Sequence, residues 1–174
     1  MPGPLRIDPI AEARRHWTAR WGTEPARPMA AVTSIMRAQQ VLLARLNDVL
    51  RPFGLTFPRY EALMLLSFTR RGALPLGKIG ERLQVHRTSV TNIIDKLEAD
   101  GLVRRVPHAD DRRATLAEIT PAGRRAAAAG TEAIHAAGFG IGALEDQQLE
   151  ELTAILRTLR LDAGDFVDDQ GPTP

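Results

Sequence analysis

Apolar residues recur at intervals of three and four along most of the chain, and this period predicts a mainly helical protein. The longest apolar stripe runs through residues 29–50 and ends at the helix-stopping pair Arg51-Pro52. Its members are Val32, Ile35, Met36, Leu42, Leu43, Leu46, Val49 and Leu50. Further helices are predicted over 9–21, from the N-cap Thr56 onward, over 77–83 and 86–100, after Thr120-Pro121, and over 145–161.

Three short strands interrupt the helices in the middle of the chain. Residues 74–76 suffice only for an edge strand, and residues 102–106 and 114–119 flank the polar segment 107–113 as a hairpin would. The order over 74–119 is therefore strand, helix, tight turn, helix, strand, basic loop, strand. This order is typical of a winged helix-turn-helix, whose second helix enters the major groove of DNA.

The helix predicted over 86–100 has one apolar face, formed by Val90, Ile93, Ile94 and Leu97. The opposite face offers the predicted DNA contacts His86, Arg87, Thr88, Ser89, Thr91, Asn92 and Lys96. Arginine and lysine suit guanine or phosphate, asparagine suits adenine, and short hydroxyl side chains suit either partner. Two alternatives stay open: His86 can simply be solvated, and Lys96 can pair with Asp100 one helical turn later.

The predicted hairpin tip carries two adjacent guanidinium groups, those of Arg112 and Arg113. An extended tip of this kind can reach a neighbouring minor groove, whose narrow stretches attract arginine. The alternative is an ordinary solvated hairpin. Arg104 and Arg105 alternate along the preceding strand, so at most one of them faces DNA.

Residues 54–123 resemble the MarR family of bacterial transcriptional regulators. The matching motifs are LGKIGERL at 76–83, SVT at 89–91, LEADGLVRR at 97–105, DDRR at 110–113 and ITPAG at 119–123. The resemblance implies a homodimer that places two recognition helices on one palindromic operator. It also implies that Asp111 steadies Arg113 as that arginine enters the minor groove.

The resemblance further implies a small-molecule effector. Many members of the family release DNA when an anionic or aromatic molecule enters a cleft between the dimerisation helices and the winged domain. The candidate cleft residues are His16, Trp17, Arg20, Trp21, Arg59 and Tyr60. The alternative for the two tryptophans is that they attach the first helix to the core of the dimer.

Composition excludes several other classes of protein. The chain has no cysteine, so disulfides, thiolate metal sites and oxidation sensing by cysteine are excluded. Its longest apolar runs are a few residues, against the roughly 20 of a membrane span. The glycine run at 138–142 follows a helix instead of a strand, which argues against a dinucleotide-binding loop. The histidines lack metal-ligand spacing, which argues against a structural zinc site. No HExxH, GxSxG or Walker pattern is present, so we expect no catalytic residue, metal or cofactor.

The formal net charge of +2 over 174 residues hides a polarised distribution. Residues 59–113 carry 11 basic and 7 acidic side chains, whereas residues 145–174 carry 2 basic and 8 acidic ones. We therefore expect a basic surface toward DNA and an acidic end away from it.

The predicted domain organisation has five parts. They are a disordered tail at 1–8, N-terminal dimerisation helices at 9–53, the winged region at 54–123, C-terminal dimerisation helices at 124–164 and an acidic disordered tail at 165–174. We expect a cytoplasmic, ligand-responsive repressor and no contact with membranes. The alternatives are an architectural or protein-docking winged helix without operator specificity and, less favoured, a small enzyme.

Overall fold

Seven α-helices and three short strands make up the part of the chain that the computed structural model describes, residues 5–108 and 115–167. The helices are α1 (Pro9–Trp21), α2 (Thr23–Leu50), α3 (Phe57–Ser67), α4 (Leu76–Leu83), α5 (Arg87–Ala99), α6 (Pro121–Ala136) and α7 (Asp146–Asp162). The strands are β1 (Ala73–Pro75), β2 (Val103–Pro107) and β3 (Thr115–Ile119). The mainly helical fold class with a small wing sheet is confirmed. None of the described helices combines the length and the apolar character that crossing a membrane requires.

The strands form one antiparallel sheet in the order β1-β3-β2. The pairing of β2 with β3 runs from Val103 opposite Ile119 to Pro107 opposite Thr115. β1 pairs with β3 on the other side, so the prediction of a short edge strand is confirmed with a shift of one residue. Pro75 closes this edge strand, a place where proline costs the sheet little.

The prediction that α2 begins near Met29 is wrong, because α2 begins at Thr23. Pro25 is the third residue of α2, where a backbone N–H has no intrahelical acceptor, so proline is tolerated there. Only Pro28 removes a hydrogen bond from the helix interior. α1 packs along this part of α2, and Ala26 is completely buried. We infer that this packing offsets the bond lost at Pro28.

The start of α3 lies where the sequence predicts it, but its cap is different. Thr56 has the extended backbone of an N-cap, and its side chain makes no capping hydrogen bond. Asn47 of α2 supplies the acceptor instead, since its Oδ1 lies 2.8 Å from the backbone nitrogen of Phe57. Pro58 occupies the first turn as predicted.

The core of the first compact unit, which ends at Gly140, joins the C-terminal end of α2 to the winged region. The fully buried side chains with the largest volumes are Leu50, Leu63, Leu66, Ile79, Ile94, Leu97, Ile134, Val90 and Val103. Val90, Ile94 and Leu97 belong to α5, so the inward face predicted for the recognition helix is confirmed. The core therefore fixes which face of α5 is left to the solvent.

The second unit begins at Ile141 and consists mainly of α7. Glu145 and Gln148 form a reciprocal capping box at the N-terminus of α7. The expected loose tail differs from the structure at its first residues. Nε of Arg160 donates to Oδ2 of Asp165 over 2.6 Å, and its guanidinium lies 5.3 Å from the ring centre of Phe166. Charge pairing and the aromatic contact thus hold residues 165 and 166 against α7.

Candidate nucleic-acid interface

The helix-turn-helix consists of α4, a short turn and α5. A Cβ atom at Gly80 would lie 3.1 Å from Cγ2 of Val90 and 3.3 Å from the backbone oxygen of Val85. The missing side chain at residue 80 therefore allows α4 and α5 to approach closely. Gln84 ends α4 in the left-handed conformation, with φ at +54°, and reverses the chain toward α5.

The polar face predicted for α5 is exposed along its whole length. Its members are His86, Arg87, Thr88, Ser89, Thr91, Asn92 and Lys96. The hydroxyl of Thr91 bonds back to the carbonyl of Arg87 over 3.2 Å. Within residues 5–108 and 115–167, the side chains of Arg87, Asn92 and Lys96 have no hydrogen-bond partner. All three residues are exposed, so their hydrogen-bonding groups are accessible to solvent.

His86 is the N-cap of α5. Its Nδ1 accepts a hydrogen bond from the backbone N–H of Thr88 over 3.3 Å. An accepting Nδ1 carries no proton, so the neutral ring has its N–H at Nε2. The cap therefore fixes which ring nitrogen remains as a donor.

Arg59 of α3 holds the C-terminal end of α5. Its guanidinium forms an ion pair with Asp100 and donates to the carbonyl of Gly54 over 3.0 Å and to that of Lys96 over 3.4 Å. The predicted alternative in which Lys96 pairs with Asp100 is wrong, since Asp100 pairs with Arg59. A cavity of about 390 Å³ lies between α3 and α5. It is lined by Thr56, Pro58, Arg59, Val85, Ser89, Asn92, Ile93 and Lys96.

The two arginines of β2 have different surroundings, as their alternation along the strand predicts. The side chain of Arg104 is 66% exposed, and its Nε donates to Oε2 of Glu118 over 2.8 Å. This hydrogen bond lowers the pKa of Glu118 and raises that of Arg104. Arg105 is only 28% exposed and pairs with Asp95 and Glu98 of α5. The sequence does not predict these pairs, because they join elements whose packing it does not show.

The predicted wing contacts Asp111, Arg112 and Arg113 lie outside the described residues. The strands on either side of them are described, and their pairing continues to Pro107 and Thr115. The two strands thus lead directly into the segment that carries these three residues.

The six candidate effector residues do not form one site in this structure. Four of them lie exposed on α1, namely His16, Trp17, Arg20 and Trp21. The ring centres of the two tryptophans are 4.5 Å apart, and the guanidinium of Arg20 lies 5.2 Å from the ring centre of Trp21. Arg59 faces α5 instead. Tyr60 is not on a cleft wall but in the core, because its ring is buried and its hydroxyl is 2.9 Å from Oγ1 of Thr131.

The groove beside α1 does not include the candidate effector residues, and the described residues contain no group of side chains that could hold a metal ion. A groove of about 670 Å³ between α1 and α2 is lined by none of the six candidate residues. Across residues 5–108 and 115–167, no three histidine, aspartate or glutamate side chains are grouped so that they could hold a metal ion.

Comparison with known proteins identifies the family. A model of the family described as MarR matches residues 55–115, from the residue before Thr56 to the start of β3. The HTH-type transcriptional regulator MhqR of Bacillus subtilis is 30% identical over 134 residues, which span 76% of this chain and 90% of that protein. The chain belongs to the MarR family. It is therefore a regulator of transcription, and the sequence-based prediction of the family is confirmed.

Solved structures of MarR-family regulators agree with this assignment. Sco5413 from Streptomyces coelicolor is 51% identical, with a TM-score of 0.75, over 82% of this chain and 99% of that one. Sco3205 from the same organism, solved in complex with DNA, is 23% identical with a TM-score of 0.68 over 89% and 96% of the two chains. The second comparison shows a shared fold. These relatives are named as transcriptional regulators and not as enzymes.

Proposed function

We propose that this MarR-family chain recognises specific sequences of double-stranded DNA by inserting α5 into the major groove. The observation that carries the proposal is the outer face of α5, from His86 to Lys96, where every predicted contact residue is exposed. Base edges in the major groove present donors and acceptors that such side chains can read. The complex of Sco3205, a protein of the same fold, with DNA supports this mode of binding.

Each side chain on this face has a chemical preference. Arg87 and Lys96 bind guanine or phosphate, and Asn92 binds adenine through its amide. His86 offers the Nε2 proton to an acceptor such as N7 of guanine, because its other ring nitrogen is used by the cap. Thr88, Ser89 and Thr91 supply hydroxyl groups to bases or phosphates.

The wing forms the second DNA contact in this proposal. Arg113 enters a minor groove beside the recognition helix, Asp111 orients it, and Arg112 binds the adjacent backbone. The pairing of β2 with β3 supports this role, since it brings the two ends of the segment together. The variant Arg113→Ala should weaken operator binding several-fold while the protein keeps its fold, and unchanged affinity in a gel-shift assay would count against the wing.

The proposal includes a homodimer. Val32, Ile35, Met36 and Leu43 of α2 are between 38% and 57% exposed and follow one stripe of the helix. In the second unit, Ile155 and Leu159 of α7 are exposed one turn apart. Apolar stripes of this kind support the interlocking of N-terminal and C-terminal helices from two subunits. A two-fold symmetric protein matches a palindromic operator whose half-sites lie about one helical turn apart.

An anionic or aromatic effector that releases the DNA is the third part of the proposal, and ligand-responsive repression is typical of the family. The exposed Trp17 and Trp21 with the neighbouring Arg20 support a role of α1 in binding such a molecule. The chain acts as a repressor without enzymatic activity. As a DNA-binding regulator of this family, it acts in the cytoplasm.

Selection of DNA from a random library by the purified full chain tests the proposal. We expect enrichment of a palindrome, and competition against random DNA should show a preference of at least about a thousandfold. The logarithm of the affinity should fall with that of the salt concentration by about 0.9 for each phosphate contact. Binding without enrichment of any sequence would favour an architectural winged helix and would contradict operator recognition.

A further inference from the structure

Three hydrogen bonds join Arg105 of β2 to the recognition helix. Its backbone N–H donates to Oε1 of Glu98 over 3.0 Å, and its Nη1 pairs with Oε2 of the same carboxylate. Its Nη2 donates to Oδ1 of Asp95 over 2.6 Å. Asp95 and Glu98 are three residues apart, so both carboxylates project from one side of α5.

The shape of a guanidinium makes this arrangement stiff. Its donors lie in one plane and point in fixed directions, so a guanidinium that binds two carboxylates resists rotation in a way that a lysine ammonium does not. The hydrogen bond to Asp95, with the further contribution of Glu98, raises the pKa of Arg105, so the bridge stays charged. The bridge therefore restricts the rotation of α5 relative to β2, in addition to the core contacts of Val90, Ile94 and Leu97.

The position of β2 in the chain gives this bridge its functional meaning. β2 runs from the end of α5 to the wing segment, so the orientation of β2 sets the distance between the two proposed DNA contacts. Base readout requires both contacts to fit one duplex at the same time, whereas phosphate attraction tolerates looser geometry.

We infer that Arg105 is a positioning residue that holds the recognition helix in a fixed orientation relative to the wing and makes no DNA contact of its own. The inference rests on the proposed function, because it concerns how the same interface reads sequence. Arg104, on the other face of β2, is the arginine of this strand that is open to solvent.

Two simpler roles make different predictions. If Arg105 bound a phosphate, its removal would weaken binding to every DNA and lower the salt slope by about 0.9. If Arg105 only neutralised two carboxylates near DNA, removal of those carboxylates would tighten binding to every DNA.

The first experiment compares Arg105→Met with the wild-type chain on the selected operator and on random DNA. We expect the operator Kd to rise about tenfold, the random-DNA Kd to change less than about threefold and the salt slope to stay the same. Arg15→Met is the matched control, since Arg15 of α1 is 73% exposed and pairs with Glu12 at 3.3 Å. This control removes the same charge and should leave both Kd values unchanged.

The second experiment uses the double variant Asp95→Asn, Glu98→Gln, which keeps side-chain volume and remains testable if Arg105→Met unfolds. We expect weaker operator binding together with tighter random-DNA binding, because positive charge increases while orientation is lost. Equal changes on both DNAs in either variant, or a lowered salt slope in Arg105→Met, would overturn the inference. A wild-type chain that does not discriminate operator from random DNA would overturn the proposed function itself, so the two failures are distinguishable.

Discussion

At the scale of single residues, Gly123 decides how closely α6 approaches the wing sheet. A Cβ atom there would lie 2.1 Å from the backbone oxygen of Leu102 and 2.9 Å from Cγ1 of Ile119. The neighbouring cap is formed by Thr120, whose Oγ1 accepts from the backbone nitrogen of Gly123 over 3.0 Å. The start of α6 therefore needs a residue without a side chain, because a backbone oxygen cannot move aside as a flexible side chain can.

Gly123→Ala should lower the free energy of unfolding by about 1–3 kcal/mol, because the added methyl group overlaps backbone atoms. Gly77→Ala is the matched control, since Gly77 also lies in the first turn of a helix and has no atom within 4 Å of an added Cβ. The control should raise the free energy of unfolding by about 0.4–1 kcal/mol. Denaturant titration of both variants measures the difference, and equal effects would contradict the close contact.

The carboxyl of Glu61 in α3 should destabilise the fold near neutral pH. Burial raises its pKa above the ordinary value. A raised folded-state pKa means that the folded state binds the proton more tightly, so the contribution of this carboxyl to stability is greatest below its unfolded-state pKa and is lost as pH rises through its folded-state pKa. Glu61→Gln should therefore be more stable than the wild type near pH 7 and no more stable near about pH 4. Urea unfolding at both pH values tests this, and a pH-independent difference would exclude the titration.

At the scale of secondary-structure elements, α2 supports the winged region by capping its first helix. The side-chain oxygen of Asn47 in α2 accepts the hydrogen bond from the backbone nitrogen of Phe57, while the hydroxyl of Thr56 makes no capping bond. The local sequence predicts Thr56 at the N-cap, and that position is correct. The capping atom itself comes from Asn47, ten positions before Phe57, which no local pattern indicates.

Asn47→Ala should cost about 0.5–2 kcal/mol of stability, because it leaves the backbone N–H at the start of α3 without its acceptor. Thr56→Ala is the matched control and should change stability by less than about 0.5 kcal/mol. Thermal and denaturant unfolding of the two variants measure the contrast. A larger loss in Thr56→Ala than in Asn47→Ala would show that Thr56 is the cap.

At the scale of the whole molecule, the apolar face of α2 extends beyond the core of its own unit. Leu46 and Leu50 are buried at the C-terminal end, whereas Ile35, Met36 and Leu43 follow the same face further back and are exposed. A helix face that is apolar along its length but only partly covered leaves a surface for a second subunit. The structure of one chain thus supports the proposed dimer without containing it.

Met36→Lys should convert the proposed dimer to monomers and abolish tight operator binding, since it places a charge in the apolar stripe. Ala38→Lys is the control, because residue 38 is exposed and lies about 200° around the helix from residue 36. Sedimentation analysis should show monomers only for Met36→Lys. A wild-type chain that sediments as a monomer at micromolar concentration, or a dimeric Met36→Lys, would contradict an interface on this stripe.

The sequence by itself determined most of the elements, the inward face of α5 and the family. These features follow from local causes: the apolar period of Val90, Ile94 and Leu97, the glycine and proline stops, and the short motifs that match the family. The period failed at the start of α2, because local rules treat Pro25 and Pro28 as barriers. Pro25 lies in the first turn, where it costs no hydrogen bond, and packing against α1 offsets the bond lost at Pro28.

Only the tertiary structure decided which polar side chains remain available to DNA. Asp100 pairs with Arg59 instead of Lys96, Arg105 pairs inward with Asp95 and Glu98, and Tyr60 is part of the core. Each of these outcomes depends on a partner in another element. An ion pair or a buried hydroxyl depends on distances between elements. The spacing of residues along the chain therefore predicted the exposed face of the recognition helix but not the ion pairs that attach this helix to α3 and β2.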